Sequence, residues 1–313
     1  MDKPIIVINP RSHQGTAFKR WLSIKQGLIH HLPDGFEEAV IENDKTLDEI
    51  LGVRIAKSSE LIIIVAGGDG SINYLINYLI KYHKSHLQKL AIGGIGLGSS
   101  NDFHKPALKI IKGIPLMIDL EKPWVKHDIG VAKYVGENGI SLEKYFVINA
   151  SIGVTAQANW NFNNPSALLK FFKSNSSSLA IFYTAISTIL KHKNITVQIE
   201  YNDEKFESEL SNLNLLKIPF ISGNFRYPQS VPSDNGFFGL NFSHHMGTLD
   251  LIKLMFDLGK GVFDVDEKKI SDYTDRLKVT SKESFVLEFD GETDKCHSVE
   301  IEIVPKAINL LAK

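Results

Sequence analysis

The stretch from Leu61 to Ile80 reads LIIIVAGGDGSINYLINYLI, and it predicts a strand, a glycine loop and a helix in that order. Residues 61–66 form a continuous apolar run rich in β-branched side chains, which is typical of a strand buried on both faces of a parallel sheet. Three glycines around Asp69 end the run, and Ser71 is placed to cap the helix that follows. Apolar residues then recur at helical spacing as far as Ile80.

The glycine loop in this stretch predicts an anion-binding site. Loop amides and a helix N-terminus point at one spot, and that spot favours a phosphate. Asp69 would repel the phosphate unless a divalent cation lies between them, or unless Asp69 takes a proton from a substrate hydroxyl. A plain β-to-α turn also uses Gly and Asp. Three glycines exceed what a turn requires, and ligand sites gather at the carboxyl ends of parallel strands, so phosphate chemistry is the favoured interpretation.

Charge and composition narrow the class of protein. The chain carries 35 Lys and Arg against 36 Asp and Glu, which argues against a general nucleic-acid binder. Cys296 is the single cysteine, so no intrachain disulfide is expected and a cytoplasmic setting is favoured. The apolar run Ile5–Ile8 is too short for a signal sequence. No stretch is long enough for a transmembrane segment, and the nearest, Leu179–Leu190, favours a buried helix.

Two further polar loops follow predicted strands. The strand Pro4–Ile8 leads into a loop in which Ser12 offers a hydroxyl to a phosphate. The strand Lys89–Ile95 leads into a second glycine and hydroxyl loop and then into a predicted helical start, where Lys105 lies close enough to reach a phosphate. On that helix Lys109 and Lys112 would share a face with Lys105. Neither glycine loop has the GxxxxGK[ST] or GxGxxG pattern, which disfavours a Walker-type NTPase and a dinucleotide-binding Rossmann site.

The character of the chain changes near Pro123. Before it, strands and helices alternate, whereas short strands with turns dominate after Lys193. This pattern predicts an α/β first part and a mainly antiparallel β second part with helical insertions. Late in the second part, Asp290-Gly291 is a common hairpin-turn pair. Only partners elsewhere in the fold would make the adjacent Glu292 a base for an acceptor hydroxyl.

Four motifs occur in order along the chain: NPRS at 9–12, GGDGSIN at 67–73, GSSNDF at 98–103 and DGE at 290–292. They resemble motifs of the lipid kinases with a diacylglycerol-kinase catalytic domain, which include soluble bacterial diacylglycerol kinases, sphingosine kinases and ceramide kinases. GGDG alone is shared with NAD kinases, whereas the ordered set is more specific. Two departures stand out, because Tyr74 replaces the usual Glu and Asn235 replaces an Asp of the family pattern.

The resemblance implies a fold of two domains. An N-terminal α/β nucleotide-binding domain with a parallel sheet would comprise residues 1–124 plus about 304–313, since the end of the chain returns to the first domain in this family. A C-terminal, mainly antiparallel β domain with helical insertions, residues 125–303, would bind the acceptor. ATP and Mg²⁺ are the implied cofactors, and the implied reaction transfers the γ-phosphoryl group to a lipid hydroxyl such as that of diacylglycerol.

The resemblance also implies roles for particular residues. Glu292 would be the catalytic base, and Asp69 would act in catalysis and organise Mg²⁺ together with Asp102. The residues expected to line the nucleotide are Asn9, Ser12, Gly67, Gly68, Gly70, Ser71, Asn73, Ser99, Asn101 and Lys105.

The expected partner is a lipid substrate met peripherally at a membrane surface, and a homodimer is left open. The apolar and basic stretch Leu168–Lys173 favours a core helix, with membrane docking as the alternative. Two other functions also remain open. One is an NAD-kinase-like kinase of a soluble acceptor, and the other is a catalytically weak relative that binds nucleotide or lipid, which Tyr74 and Asn235 would explain. The sequence leaves the acceptor lipid unidentified, because specificity lies in the shape of the cleft.

Overall fold

The structure is a computed structural model that describes residues 2–107 and 109–311. Two compact units divide the chain, one made of Met1–Asp128 with Pro305–Lys313 and the other of Ile129–Val304. Within the described residues, no helix combines the length and apolar character needed to cross a membrane.

The first unit alternates strands and helices. Its main elements are β1 (Ile5–Ile8), α1 (Ala17–Ile24), β2 (Glu37–Val40), α2 (Asp44–Leu47), α3 (Val53–Lys57), β3 (Leu61–Gly67), α4 (Asp69–His83), β4 (Leu90–Gly96), β5 (Lys109–Ile111) and β6 (Ile114–Met117). Strand β3 lies between β1 and β4 and runs parallel to both, and β2 continues the parallel order beyond β1. All seven residues of β3 are buried, as a strand requires when both faces of its sheet are covered.

Two local predictions in the first unit are wrong. Ser71 does not cap α4, because the helix begins at Asp69 with Gly68 at its N-cap. The helix predicted after Phe103 is instead a single 3₁₀ turn, Asp102–His104, followed by the β5–β6 hairpin. Pro106 disfavours helical backbone before it, and positive φ at Lys112 and Gly113 makes a tight hairpin turn, so the lysines do not share a helical face.

The second unit is mainly antiparallel. Its elements are β7 (Val125–Gly136), β8 (Ser141–Phe146), β9 (Asn149–Gly153), α5 (Val154–Asn163), α6 (Ala167–Asn175), α7 (Ser177–Ile189), β10 (Ile195–Tyr201), β11 (Glu204–Leu216), β12 (Phe220–Ile221), β13 (Phe225–Arg226), β14 (Phe238–His244), α8 (Thr248–Gly259), β15 (Lys269–Thr274), β16 (Arg276–Phe289) and β17 (Glu292–Leu310). The order β15-β14-β11-β10-β16-β17 is antiparallel throughout, and β9 pairs antiparallel with β11 and β16.

Strands β7 and β17 extend beyond the second unit into the first. Asn309 and Leu310, at the end of β17, pair parallel with β4, so the end of the chain joins the first sheet.

The helical insertions of the second unit are only partly buried. A core formed with α8 includes Ile189 and Leu251, and Leu169 of α6 is buried as well. Leu168 and Phe171, on the same helix, are 52% and 63% exposed. The core-helix prediction for this stretch is therefore wrong for its two most exposed apolar residues, and the predicted burial of α7 is wrong at its exposed Leu179 and Phe182.

Candidate active site

The loops after β1 and β3 are joined through the hydroxyl of Ser71. Asn9 Nδ2 donates to Ser71 Oγ at 2.9 Å, and Ser12 Oγ lies 3.0 Å from the same oxygen. Ser71 is 3% exposed, so this polar contact is inside the unit and not on a helix surface. Asn9 and Ser12 of the NPRS motif thus meet Ser71 of the GGDGSIN motif, just beyond the carboxyl ends of the neighbouring parallel strands β1 and β3.

The two glycine loops are in backbone contact. A Cβ built on Gly98 would lie 2.5 Å from the Cα of Gly68, and one built on Gly67 would lie 2.4 Å from Ser71 Oγ. The backbone N–H of Leu97 also donates to the carbonyl of Gly67 at 2.8 Å. Glycine is required at these positions by close approach, since their φ values are not in the left-handed region.

Asp69 links the first glycine loop to the NDF motif. Its two carboxylate oxygens accept the backbone N–H groups of Asp102 at 3.1 Å and Phe103 at 3.0 Å. These amides begin the 3₁₀ turn that ends at His104. Hydrogen bonds to a carboxylate are stronger than those between neutral groups. Asp69 therefore positions the NDF loop, a role that the motif alone did not indicate.

Hydrogen bonds from Asn101 and Arg20 hold the second glycine loop, which follows β4. Asn101, at φ +53°, accepts the Gly98 N–H on Oδ1 at 2.9 Å and donates from Nδ2 to the Gly98 carbonyl at 3.1 Å. Arg20 of α1 donates to the carbonyls of Leu97 at 2.7 Å and Gly98 at 3.1 Å. Partial burial lowers the pKa of the Arg20 guanidinium below its ordinary value. Arg20 was missed by sequence reasoning, since no motif surrounds it.

The remaining predicted nucleotide residues differ in their surroundings. Lys105 Nζ lies 2.7 Å from Asp102 Oδ1 in a largely buried ion pair. Asn73 is buried in α4 and accepts from Asn77 Nδ2, whereas Ser99 is exposed at the tip of the second loop. Gly70 is the second residue of α4 and is half-buried.

Asp69 and Asp102 are the acidic residues here that could hold Mg²⁺ together with a nucleotide. The described residues contain no cluster of three or more His, Cys, Asp or Glu suited to a metal. Asp69 accepts the backbone N–H of Asp102, and the Asp102 carboxylate is paired with Lys105 Nζ at 2.7 Å. Mg²⁺ is usually bound through one or two carboxylates together with substrate phosphates and water. The close-packed glycine backbones likewise fit the phosphates of ATP, which need amides without side chains in the way.

Glu292 lies on a hairpin of the second unit. Asp290 and Gly291, with φ of +50° and +87°, form the two-residue turn between β16 and β17, and Phe289 pairs with Glu292 across it. Glu292 is exposed. The carbonyl of Gly291 accepts from Asn163 Nδ2 at 2.8 Å at the end of α5. The predicted Asp-Gly turn is therefore confirmed, and it exposes the candidate base Glu292 to solvent.

Asp290 is buried beneath this turn. It is 2% exposed, and its carboxylate accepts the backbone N–H groups of Val147 at 2.8 Å, Ile148 at 2.8 Å and Asn149 at 3.1 Å. The Asp of the DGE motif thus anchors the turn to the start of β9. The motif alone indicated only a turn residue.

Glu288 is a second buried carboxylate in this hairpin. Oε2 accepts from Ser151 Oγ at 2.5 Å and from Asn149 Nδ2 at 3.1 Å, and Oε1 accepts the Gly291 N–H at 2.7 Å. Burial raises the pKa of this carboxyl to about 7 against the partly offsetting hydrogen bonds. Sequence reasoning missed Glu288, because alternation of Phe285, Leu287 and Phe289 assigns it to the opposite, polar face.

The two departures from the family pattern are both used in packing. The Tyr74 hydroxyl donates to Asp44 Oδ1, which joins α4 to α2. Asn235 Oδ1 accepts from the buried ammonium of Lys217 at 3.1 Å, and that ammonium also donates to the carbonyls of Pro232 and Phe237, both at 2.9 Å. Each substitution therefore has a structural partner of its own.

Comparisons with known proteins agree with the motif pattern. Residues 3–122 match the family model of the diacylglycerol kinase catalytic domain. The diacylglycerol kinase of Staphylococcus carnosus (strain TM300) is 26% identical over 292 residues, covering 92% of this chain and 87% of that protein. The diacylglycerol kinase of Staphylococcus saprophyticus subsp. saprophyticus is 26% identical over 290 residues, covering 92% and 88%.

Solved structures share the fold. A crystal structure of a diacylglycerol kinase from Bacillus anthracis str. Sterne aligns with a TM-score of 0.66 at 15% identity, covering 99% of this chain and 97% of that one. At this identity the likeness concerns the fold alone. The sequence resemblance is confirmed by the family match and the curated relatives: this chain carries, at residues 3–122, the catalytic-domain pattern of the diacylglycerol kinase family.

Proposed function

We propose that this protein is an ATP- and Mg²⁺-dependent lipid kinase that transfers the γ-phosphoryl group to a lipid hydroxyl such as that of diacylglycerol. The observation that carries the proposal is the backbone contact between Gly68 and Gly98, with Asp69 bonded across it to the NDF loop. The same segment matches the catalytic-domain family model.

In this proposal the first unit binds and orients the nucleotide. The glycine backbones approach the phosphates, while Asn9 and Ser12 hold the loop after β1 against Ser71 of α4. Arg20 keeps the second loop in place through two carbonyls. ATP would supply the phosphoryl group, and Mg²⁺ held with the help of Asp69 and Asp102 would offset the negative charges of the phosphates and of these two carboxylates.

Glu292 is the proposed base. The acceptor hydroxyl gives its proton to the Glu292 carboxylate while its oxygen forms a bond to the γ-phosphorus and the bond to the ADP oxygen breaks. Proton transfer by a positioned base contributes about 10²–10⁴-fold. Glu292→Gln should therefore lower kcat by about that factor and leave calorimetric ATP binding intact. Glu283→Gln, an exposed acid on β16, is the matched control. Near-wild-type turnover of Glu292→Gln would exclude the base assignment.

The acceptor is tested with labelled ATP and two acceptors, diacylglycerol in vesicles and NAD in solution. Label on the lipid supports the proposal. Label on NAD alone would support a kinase of a soluble acceptor, and ATP binding without transfer to either would support a catalytically weak relative.

The helices α6 and α7 are the proposed surface for docking on an anionic membrane. Residues 144–199, which include these helices, contain no Asp or Glu but five lysines, two of them in α6, so the segment is basic in a chain with 36 acidic residues. Exposed apolar side chains accompany that charge: Leu168 at 52%, Phe171 at 63%, Leu179 at 56% and Phe182 at 48% exposure. Apolar side chains flanked by lysines bind the interface of anionic bilayers.

Sedimentation with vesicles of phosphatidylglycerol and phosphatidylcholine tests this surface. Leu168→Ser/Phe171→Ser should lose most vesicle binding and keep its fold. Val265→Ser, which removes an apolar side chain that is 62% exposed elsewhere in the second unit, is the control. Equal binding by both variants refutes docking through α6, and a change in oligomeric state would assign the surface to a second copy of the chain.

A further inference from the structure

Two buried carboxylates, Asp290 and Glu288, hold the hairpin that carries Glu292. They differ in what they bind. Asp290 binds three consecutive backbone amides of the neighbouring strand start. Glu288 instead joins side chains of β9 to the turn itself, because its Oε1 accepts the N–H of Gly291, the residue immediately before Glu292. Glu288 thus holds the peptide group between Asp290 and Gly291, one residue before the proposed base, while Asn163 holds the Gly291 carbonyl.

We propose that Glu288 is a positioning residue for Glu292: its carboxylate connects Ser151 and Asn149 on β9 to the Gly291 amide and so sets the direction in which Glu292 leaves the turn. This inference rests on the proposed function, since it gives Glu288 a task only if Glu292 is the base.

The pairing register supports the connection. Glu288 lies directly across from Ser151, and Phe289 lies across from Ala150, so β9 holds the end of β16 residue by residue. The other side of the turn has no such strand pairing to β9 among the described residues, because β17 pairs with β16 instead. The backbone of β9 reaches the turn at Asp290, whose N–H donates to the Asn149 carbonyl at 3.0 Å, and the side chain of Glu288 extends the connection to Gly291.

The burial of Glu288 is unfavourable for a residue that serves packing alone. Glu288 is 1% exposed, and a buried carboxylate costs free energy even when it accepts hydrogen bonds. The carboxylate offers what an apolar side chain lacks, namely acceptor oxygens for Ser151, Asn149 and the Gly291 amide at once.

A double-mutant cycle on the full chain tests the proposal. Glu288→Ala should lower kcat by about 10- to 100-fold, the order expected when a reacting group is misplaced by a fraction of an ångström to 1 Å. ATP affinity by calorimetry should stay unchanged. In the Glu292→Gln background, Glu288→Ala should change the residual kcat by less than about twofold, because there is no base left to position.

Two further variants separate positioning from stability. Glu288→Gln keeps one acceptor oxygen for the Gly291 N–H and should recover most of the turnover. Thr274→Val removes a buried hydrogen bond to the Arg276 carbonyl at the other end of β16, and any effect it has should be equal in both backgrounds.

The outcomes are distinct. An equal fall in kcat from Glu288→Ala with and without Glu292 would make Glu288 a structural residue and overturn the inference. Wild-type turnover of folded Glu288→Ala would overturn it too. Near-wild-type turnover of Glu292→Gln by itself would instead refute the base assignment on which the inference rests.

Discussion

Gly98 is the position where one added methyl group tests the nucleotide site most directly. A Cβ at Gly98 would lie 2.5 Å from the Cα of Gly68 and 3.0 Å from Asn101 Oδ1. Non-bonded carbons rest at about 3.5–4.0 Å, so the two loops must separate by about 1 Å to admit it. A displacement of about 1 Å in a positioned group costs on the order of 10²-fold in rate. That loss corresponds to about 2.7 kcal/mol of transition-state stabilisation, at 1.36 kcal/mol for each factor of ten.

Gly98→Ala should therefore lower kcat/KM for ATP by about 10²-fold and weaken ATP binding measured by calorimetry. Gly68→Ala should do less, because its Cβ would lie 3.0 Å from the Gly98 Cα. Gly259→Ala, at the end of α8, meets nothing within 4 Å and has no positive φ, so it should leave both quantities unchanged. Thermal unfolding of all three variants controls for loss of fold. Unchanged ATP affinity in folded Gly98→Ala would refute the idea that the loops cradle phosphate.

Three other predictions concern buried polar groups. Asp69→Asn places an amide NH₂ against a backbone N–H at the NDF loop, so it should lower turnover by at least about 10²-fold and change the Mg²⁺ dependence of the rate; an unchanged Mg²⁺ titration would exclude Asp69 from the cation site. Lys217→Met leaves three oxygens of the 232–237 segment without their ammonium donor and should lower the free energy of unfolding in urea by about 1–3 kcal/mol; a loss below about 0.5 kcal/mol would mean that water replaces the donor. Burial raises the pKa of Glu288 from 4.5 to about 7, so between these values the folded state holds a proton that the unfolded state has released, and stability falls as the pH rises through this window. The Tm of Glu288→Gln relative to wild type should therefore increase from about pH 5 to about pH 8, and a constant difference would contradict the shift.

Much of the first unit follows from local sequence. The β-branched run of β3 and the helical spacing of α4 are short-range patterns, and the glycines mark where the chain must turn or approach closely. The Asp290-Gly291 turn is local as well, since Asp-Gly adopts the two positive φ values that a tight hairpin needs. The order of these motifs was enough to indicate the kinase family before any contact was known.

Other features depend on partners that are distant in sequence. Serine is a common N-cap residue, yet the Ser71 hydroxyl bonds to Asn9 and Ser12 of the loop after β1. Arg20 reaches Leu97 and Gly98 across 77 and 78 positions, with no pattern around it to indicate this.

Glu288 shows why such cases escape sequence reasoning. Alternation along β16 assigns it to a polar face, but that position is buried, and Ser151 and Asn149 of the paired strand β9 donate to its carboxylate. Phe171 shows the reverse, because an apolar residue expected in the core is exposed on α6. Periodicity reports which residues share a face, and turn chemistry reports where the chain bends. Only the tertiary structure decides what covers each face, and with it which polar groups find partners and which apolar groups remain in water.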